Sequence, residues 1–460
     1  MNKQLSNSQM RDAEALLHPY ANAVALRETG VQMIDRGEGI RVYDEAGRPY
    51  IEALAGLWCC GLGFGNEELV ETAREQMMKL PYYHVFAGKS HEPAVELAER
   101  IKALAPPNMA RVIYQSSGSE ANDTQVKLAW YYNNALGRPE KKKIIARVKG
   151  YHGVTIVAGS LTGLPYNHRD FDLPVEGIRH TSMPHHWKGA EPGESEEAFS
   201  ARLAAELDAL IEAEGPETVA AFIAEPIMGA GGAIVPPKGY FPAMMTVCRK
   251  HDVRMISDEL ITGFGRTGEW FGCQALGFEP DSMSMAKQLT AGFFPLSAVA
   301  MDREMAEAIE ENTGRIGTFG HGFTYGGHPV GCAVGVKAIE IYERIDITGH
   351  VQSVAPRFKA HLDRLAGHEL VGEARSLGLI GALELAPSKS PAGFATPGKL
   401  GPRLAIELAE RGVIGRAIVD SLAFCPPMIV TEAEIDEIFA PVEDALDAVA
   451  AWAKSEGHLA

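Results

Sequence analysis

Two charged residues, Asp258 and Lys287, follow short apolar runs and could together carry amine and proton chemistry. Asp258 lies in ISDELITGFGRTG, residues 256–268, and Lys287 lies in SMSMAKQL, residues 282–289. Ligands of open α/β sheets bind at the carboxyl ends of strands. A buried carboxylate there needs a partner, and a desolvated lysine becomes nucleophilic. For Asp258 a helix N-cap or a salt bridge to Arg266 is the alternative, and most single lysines are solvated surface groups.

An anion site is indicated by SSGSEAN, residues 116–122, which follows a predicted strand and opens a predicted helix. Free backbone N–H groups at a helix N-terminus attract anions. Gly118 lets the backbone approach closely, and Ser119 can add a hydroxyl. An ordinary capped helix would show the same Ser–Glu capping box. In HGFTYGGHP, residues 321–329, Thr324 could donate to a phosphate, although alone this segment is only a turn-rich loop.

The elements that must position these residues alternate between short β-branched runs and helical patterns, such as the one at 200–213. Several of the runs are apolar on both faces, which is typical of strands buried between helix layers. The alternation predicts an α/β fold with a mostly parallel central sheet flanked by helices. The predicted strands are residues 111–115, 143–148, 219–224, 253–257, 282–285 and 296–301.

Two domains are predicted. Residues 61–330 form the large domain, and residues 1–60 with 331–460 form a smaller α+β domain. The small domain contains a strand-like region at 39–52 and helical patterns at 399–411 and 432–454. Within the large domain, residues 180–200 are expected to be a surface excursion and residues 311–320 a flexible stretch.

Composition limits the possible partners. The chain has 460 residues, a net charge of −17 and a pI of about 5.4. An acidic protein repels phosphate backbones, so nucleic-acid binding is not expected. The six cysteines contain no C-x-x-C pair and should be reduced thiols. No metal site is expected, because His185 and His186 read as surface residues. No membrane span or leader is recognised, which predicts a cytoplasmic protein.

Taken together, these segments resemble the class III aminotransferases, enzymes of fold type I that use pyridoxal 5′-phosphate (PLP). The resemblance extends from VYDEAGRPYIEALAGLW at 42–58 to GVIGRAIVDSLAFCPP at 412–427. Its most specific part is DELITGFGRTG at 258–268 followed by Ala286 and Lys287. SGSEAND at 117–123 and TYGGHPVGCA from Thr324 reinforce it.

The resemblance implies a role for each matching residue. Lys287 would hold PLP as a Schiff base and later move a proton, and Asp258 would keep the pyridine nitrogen protonated. Gly118 and Ser119 would bind the phosphate, together with Thr324 from a neighbouring subunit. Tyr151 would stack on the ring, and Glu225 would support the hydrogen bonding of the cofactor. The enzyme would be a homodimer or a dimer of dimers with active sites at the interface.

One departure points to the substrate. Members acting on glutamate-type substrates usually carry Gln three residues after the aspartate, where this chain has Ile261. The closest resemblance is therefore to the ω-amine:pyruvate transaminases. Arg416 matches their mobile arginine, with a surface salt bridge as the alternative. The expected substrate pocket consists of four aromatic residues and one small residue: Tyr20, Trp58, Phe86, Tyr151 and Ala230. For Trp58 and Phe86, packing in the core is the alternative.

The expected reaction transfers an amino group from a primary amine or ω-amino acid to pyruvate or another keto acid. Alanine and a ketone or aldehyde would be the products. An aminomutase, decarboxylase or amino-acid aminotransferase of the same class is the first alternative. A non-catalytic PLP-binding protein and a metal- or nicotinamide-dependent enzyme are the others.

Overall fold

A computed structural model describes residues 5–459. The strands are β1 (Ile34–Glu38), β2 (Arg41–Asp44), β3 (Pro49–Glu52), β4 (Met109–Gln115), β5 (Lys143–Arg147), β6 (Ile178–Thr181), β7 (Val219–Ala224), β8 (Arg254–Asp258), β9 (Ser282–Met285), β10 (Ser297–Asp302), β11 (Val371–Leu377), β12 (Ile380–Leu385), β13 (Val413–Ile414), β14 (Arg416–Ile418) and β15 (Ser421–Phe424).

The longer α-helices are Asn7–Ala15, Ala23–Thr29, Glu67–Lys79, Glu92–Leu104, Gly118–Ala135, Ile156–Leu161, Glu196–Glu214, Tyr240–Lys250, Arg303–Ile316, Pro329–Arg344, Ile347–Leu365, Leu400–Glu410, Glu432–Phe439 and Val442–Ser455. Single turns of α-helix cover Ala55–Trp58, Pro165–His168, His186–Gly189 and Gly272–Ala275, and 3₁₀ turns cover Pro216–Thr218, Lys287–Thr290 and Pro387–Lys389. Within residues 5–459, none of these helices has the length and hydropathy that a bilayer span requires.

The central sheet has seven strands in the order β4-β10-β9-β8-β7-β5-β6. Only β10 runs against its neighbours, so the other six strands share one direction. Every residue of β7, β8, β9 and β10 is buried, because helices cover both faces of the sheet. The predicted α/β fold with a mostly parallel sheet is confirmed, and it brings six carboxyl ends to one edge.

Two smaller sheets lie outside this central sheet. One contains β1, β2 and β3 with the short parallel partner β13, so it joins the N-terminal and C-terminal parts of the chain. The other is antiparallel, in the order β11-β12-β15-β14. The division into residues 61–330 and the two flanking segments stays a prediction.

Three local expectations are corrected. The pattern at 432–454 is two helices rather than one, because a break at Pro441 separates Glu432–Phe439 from Val442–Ser455. Much of the expected flexible stretch is helical, since Arg303–Ile316 continues to a C-cap at Gly317 with φ 91°. His185 is not a surface residue: it is 2% exposed, and its Nε2 lies 2.7 Å from Glu373 Oε2.

Candidate active site

The predicted chemical residues meet at the carboxyl edge of the central sheet. Strand β8 ends at Asp258, and β9 is followed by Lys287 after one residue. Strand β7 leads directly into Glu225. Strand β4 leads into the helix that begins at Gly118. The parallel strands therefore bring together residues that are more than 100 positions apart in the sequence.

Asp258 is held in a buried polar network. Its Oδ2 atom lies 2.8 Å from His152 Nδ1 and accepts a hydrogen bond from Asn122 Nδ2 at 2.8 Å. Its Oδ1 atom accepts only a 3.2 Å bond from the Leu260 amide among the described residues. Burial raises the pKa of Asp258, but the hydrogen bond and charge of His152 and the charge of Lys287 outweigh it, so the pKa lies below its usual value. The buried carboxylate is ionised and keeps acceptor capacity on Oδ1.

Lys287 begins a 3₁₀ turn in a left-handed backbone conformation, with φ 46°. Non-glycine residues rarely adopt this conformation, which is concentrated at functional sites. The side chain is half-buried, and its charge lowers the pKa of Asp258. Arg266, the alternative partner for Asp258, instead donates to the carbonyls of Leu379 and Pro426. The structure therefore excludes the Asp258–Arg266 salt bridge that was the alternative role for Asp258.

A cradle for an anion lies at the start of the helix Gly118–Ala135. The predicted capping box is confirmed: the Glu120 amide donates to Ser117 Oγ at 3.2 Å, and the Ser117 amide donates to Glu120 Oε2 at 3.1 Å. Helix geometry leaves the first-turn amides of Gly118 and Ser119 without intrahelical acceptors. A side chain at position 118 would collide with Leu260 Cδ2, so the buried Leu260 side chain would have to move to admit it, and glycine avoids that displacement.

Ser119 is oriented by a second segment of the edge. The Val154 amide donates to Ser119 Oγ at 3.1 Å, which leaves the hydroxyl proton free to donate to a bound anion. Glu225 fixes the same segment, because its Oε1 accepts from the Tyr151 amide at 3.0 Å and its Oε2 accepts from the Gly229 amide at 2.9 Å. Burial raises the pKa of Glu225.

A cavity of about 990 Å³ opens beside this edge, and most of its lining is apolar. Tyr20, Ala230 and Arg416 line it, and Arg416 is the single charged residue among its lining residues. The Arg416 guanidinium has no carboxylate partner within residues 5–459, in contrast to the surface salt bridge considered as its alternative. Tyr151 adjoins the cavity: burial and the hydroxyl of Tyr20 raise its pKa, while the charge of Arg416 opposes that rise.

Of the predicted substrate residues, Trp58, Phe86 and Tyr151 are not among the lining residues of this cavity, and neither is the predicted phosphate ligand Thr324. Trp58 is 2% exposed and belongs to a buried cluster that includes Ile261 and the cavity-lining Ile418. Phe86 is 40% exposed and packs against Gly322, in the loop that carries Thr324. Thr324 is exposed on the same loop, where its carbonyl accepts from Tyr82 Oη at 2.7 Å.

His152 and Asn122 were not singled out by the sequence reasoning, although both lie in segments that it examined. His152 is 1% exposed and Asn122 is fully buried. The Asn122 side chain also donates to the His152 carbonyl at 2.7 Å. The available signals were a histidine in the glycine-containing segment after β5 and an asparagine in the first turns of the helix after β4, but the sequence does not show their common partner Asp258, 106 and 136 residues onward.

These residues fit PLP, the cofactor that the sequence predicts. An ionised, buried carboxylate with spare acceptor capacity suits a protonated ring nitrogen, and the helix N-terminus suits a phosphate. The His152 Nε2 atom, buried without a partner among the described residues, is one more polar group that faces this region unpaired. Lys287 supplies the amine that would hold the cofactor.

Comparisons with known proteins agree with this geometry. Residues 24–446 match the family model "Aminotransferase class-III". The chain is 47% identical over 435 residues to a probable γ-aminobutyrate transaminase 3, mitochondrial, of Oryza sativa subsp. indica, covering 94% of this chain and 85% of the relative. It is 48% identical to an ω-transaminase of Pseudomonas jessenii solved in complex with PMP, with a TM-score of 0.95 and coverage of 97% and 99%. A transaminase solved with L-Ala is 48% identical, with a TM-score of 0.89 and coverage of 91% and 99%.

Proposed function

The chain belongs to the class III aminotransferases, fold type I enzymes that use PLP, and on this premise we propose that it is an amine:pyruvate transaminase. A primary amine or ω-amino acid would donate its amino group in the first half-reaction. Pyruvate would accept it in the second and leave as alanine. The donor would leave as a ketone or aldehyde.

The observation that carries this proposal is one arginine, without a carboxylate partner among residues 5–459, in a large and mostly apolar cavity. Arg416 can bind the carboxylate of pyruvate through two parallel hydrogen bonds. The apolar walls of the same 990 Å³ cavity favour an aryl-alkyl or other bulky amine by burial. The likeness to an ω-transaminase and to a transaminase solved with L-Ala supports the same substrate pair.

The roles that we propose follow from the site. PLP acts as the electron sink for the reaction. Asp258 would hold a proton on the ring nitrogen, and Lys287 would move a proton at the donor carbon. Gly118 and Ser119 would bind the phosphate, Tyr151 would stack on the ring, and a further set would orient the cofactor or contact substrate: Glu225, Tyr20, Trp58, Ala230 and Arg416.

A second copy of the chain is part of this proposal. Thr324 and Phe86 are both exposed and lie on neighbouring segments of one protomer. In a homodimer, or in a dimer of dimers, they would complete the phosphate and substrate sites of the other protomer. We predict that the protein is cytoplasmic.

The test follows the absorbance of the enzyme-bound cofactor during single half-reactions. We expect L-alanine and 1-phenylethylamine each to remove the absorbance of the lysine-bound form, with release of pyruvate and acetophenone. Pyruvate should restore it faster than 2-oxoglutarate. No change with either donor, or faster restoration by 2-oxoglutarate, would contradict the proposal.

Arg416→Leu tests the acceptor site. Loss of a charge-assisted bidentate pair, worth roughly 1.5–3 kcal/mol, should raise the KM for pyruvate by roughly 10- to 100-fold. The KM for 1-phenylethylamine should change much less. Arg303→Leu is the matched control, since the Arg303 side chain is 75% exposed. It lies on the helix that follows the carboxyl end of β10, at the sheet edge opposite the candidate site. Equal changes for pyruvate and amine would argue against a carboxylate role.

A second candidate is a γ-aminobutyrate donor, because several relatives at 44–47% identity are named γ-aminobutyrate transaminases. The same absorbance assay with γ-aminobutyrate decides it. Carbon dioxide or an isomerised amine as the product would instead indicate a decarboxylase or an aminomutase.

A further inference from the structure

The turn at residues 53–58, which carries Trp58, has a strained backbone. Ala55, Gly56 and Trp58 have φ values of 50°, 70° and 67°. Left-handed conformations of non-glycine residues cost of order 1–3 kcal/mol each and persist only when the surroundings impose them. Some part of the structure must therefore hold this turn in place.

Glu52, the last residue of β3, holds the first half of the turn. Its Oε2 atom accepts hydrogen bonds from the Leu54 amide at 3.3 Å and from the Gly56 amide. Glu52 is 5% exposed, and no Lys, Arg or His side chain in the described part of the chain forms a salt bridge with it. A buried carboxylate without a cation is costly, and burial raises its pKa to about 7. Those two amides are its hydrogen-bond partners among the described residues.

Gln288 holds the second half of the turn. Its Nε2 atom donates to the Trp58 carbonyl at 3.0 Å, and its own carbonyl accepts from Tyr342 Oη at 3.0 Å. Gln288 is fully buried and directly follows Lys287. A side chain at position 61 would collide with Gln288 Oε1, so Gly61 makes this contact possible. The turn is thus tied to the backbone of the lysine segment.

We propose that Glu52 is a positioning residue: it fixes the 53–58 turn, and thereby the position of the Trp58 indole beside the wall of the substrate cavity. The indole packs against Ile261 and Ile418, the latter a lining residue of the substrate cavity. A displaced turn would therefore alter the cavity wall. This change should weaken binding of a bulky amine, which contacts the wall, more than binding of the smaller alanine. This inference rests on the proposed amine substrate.

The test compares Glu52→Ala, Glu52→Gln and the control Asp302→Ala in the holoenzyme. Asp302 is also a buried carboxylate that accepts a backbone amide, from Met305 at 2.8 Å, but at the opposite edge of the sheet. Glu52→Ala should raise the KM for 1-phenylethylamine roughly tenfold or more and that for L-alanine by less than about threefold. Glu52→Gln keeps an oxygen acceptor and should stay within about threefold for both donors.

Hydrogen exchange gives a readout that does not depend on turnover. In Glu52→Ala the amides of residues 53–60 should exchange roughly tenfold faster, while Glu52→Gln and Asp302→Ala should leave them protected. If Glu52→Ala does not fold, Glu52→Asp replaces it. Its KM for 1-phenylethylamine should then rise more than its KM for L-alanine, by a smaller factor than in Glu52→Ala.

Failure of this inference is distinct from failure of the proposed function. A wild-type enzyme that converts neither amine nor alanine refutes the proposed function. A wild-type enzyme that converts both, with Glu52→Ala changing both KM values by the same factor or leaving residues 53–60 protected, refutes the positioning role of Glu52.

Discussion

Replacement of Asp258 by Asn should slow the chemical step by roughly two to three orders of magnitude. The carboxylate is 3% exposed and ionised at neutral pH. Two opposite unit charges about 4 Å apart attract each other by about 4 kcal/mol at an effective dielectric constant of about 20. That energy corresponds to about three pKa units on the ring nitrogen of PLP. The neutral Asn would therefore leave most of the ring unprotonated.

The assay is a single-turnover measurement of the amine half-reaction by stopped-flow absorbance. Asp281→Asn is the matched control, because Asp281 is 2% exposed and lies at the opposite end of β9. A PLP analogue methylated on the ring nitrogen carries a permanent positive charge and should recover most of the lost rate in Asp258→Asn. A rate within about fivefold of wild type, or no recovery with the analogue, would refute the electrostatic reasoning.

Three further outcomes are expected. Gly118→Ala should weaken PLP binding by roughly tenfold, and adding Leu260→Ala should restore part of it, because the new methyl group collides with Leu260; equilibrium dialysis measures both. His152→Leu removes the main group that lowers the pKa of Asp258, so the acid limb of the kcat–pH profile should move to higher pH. Glu52→Gln should raise the Tm more at pH 8 than at pH 5: burial raises the pKa of Glu52 from 4.5 to about 7, so the stability that this carboxyl contributes at low pH is lost as the pH rises from about 4.5 to above 7, by up to about 3 kcal/mol. A Tm difference independent of pH would contradict this assignment.

The parts of the fold that depend on local sequence were predictable. Strand β7 occupies residues 219–224, as predicted, since a continuous apolar run of only six residues with β-branched and aromatic members favours a strand buried on both faces. The helix after SSGSEAN begins at Gly118 because its capping box is local. The positions of Asp258 and Lys287 followed from the parallel strands that end beside them.

The parts that depend on distant contacts were not predictable. The buried partner of Asp258 is His152, 106 residues earlier, and the buried partner of His185 is Glu373, 188 residues later. The inward packing of Trp58 depends on a left-handed turn whose support comes from Glu52 and from a different segment. Nothing in the local pattern of these residues reports such partners.

The most direct test of the central claim is to identify which lysine carries the cofactor. Borohydride reduction of the yellow holoenzyme, followed by proteolysis and mass spectrometry, should place the reduced pyridoxyl group on Lys287 alone. The Lys287→Ala variant should bind PLP without a label that survives reduction and should lose turnover. A pyridoxyl group on another lysine, or turnover by Lys287→Ala at the wild-type rate, would contradict the account.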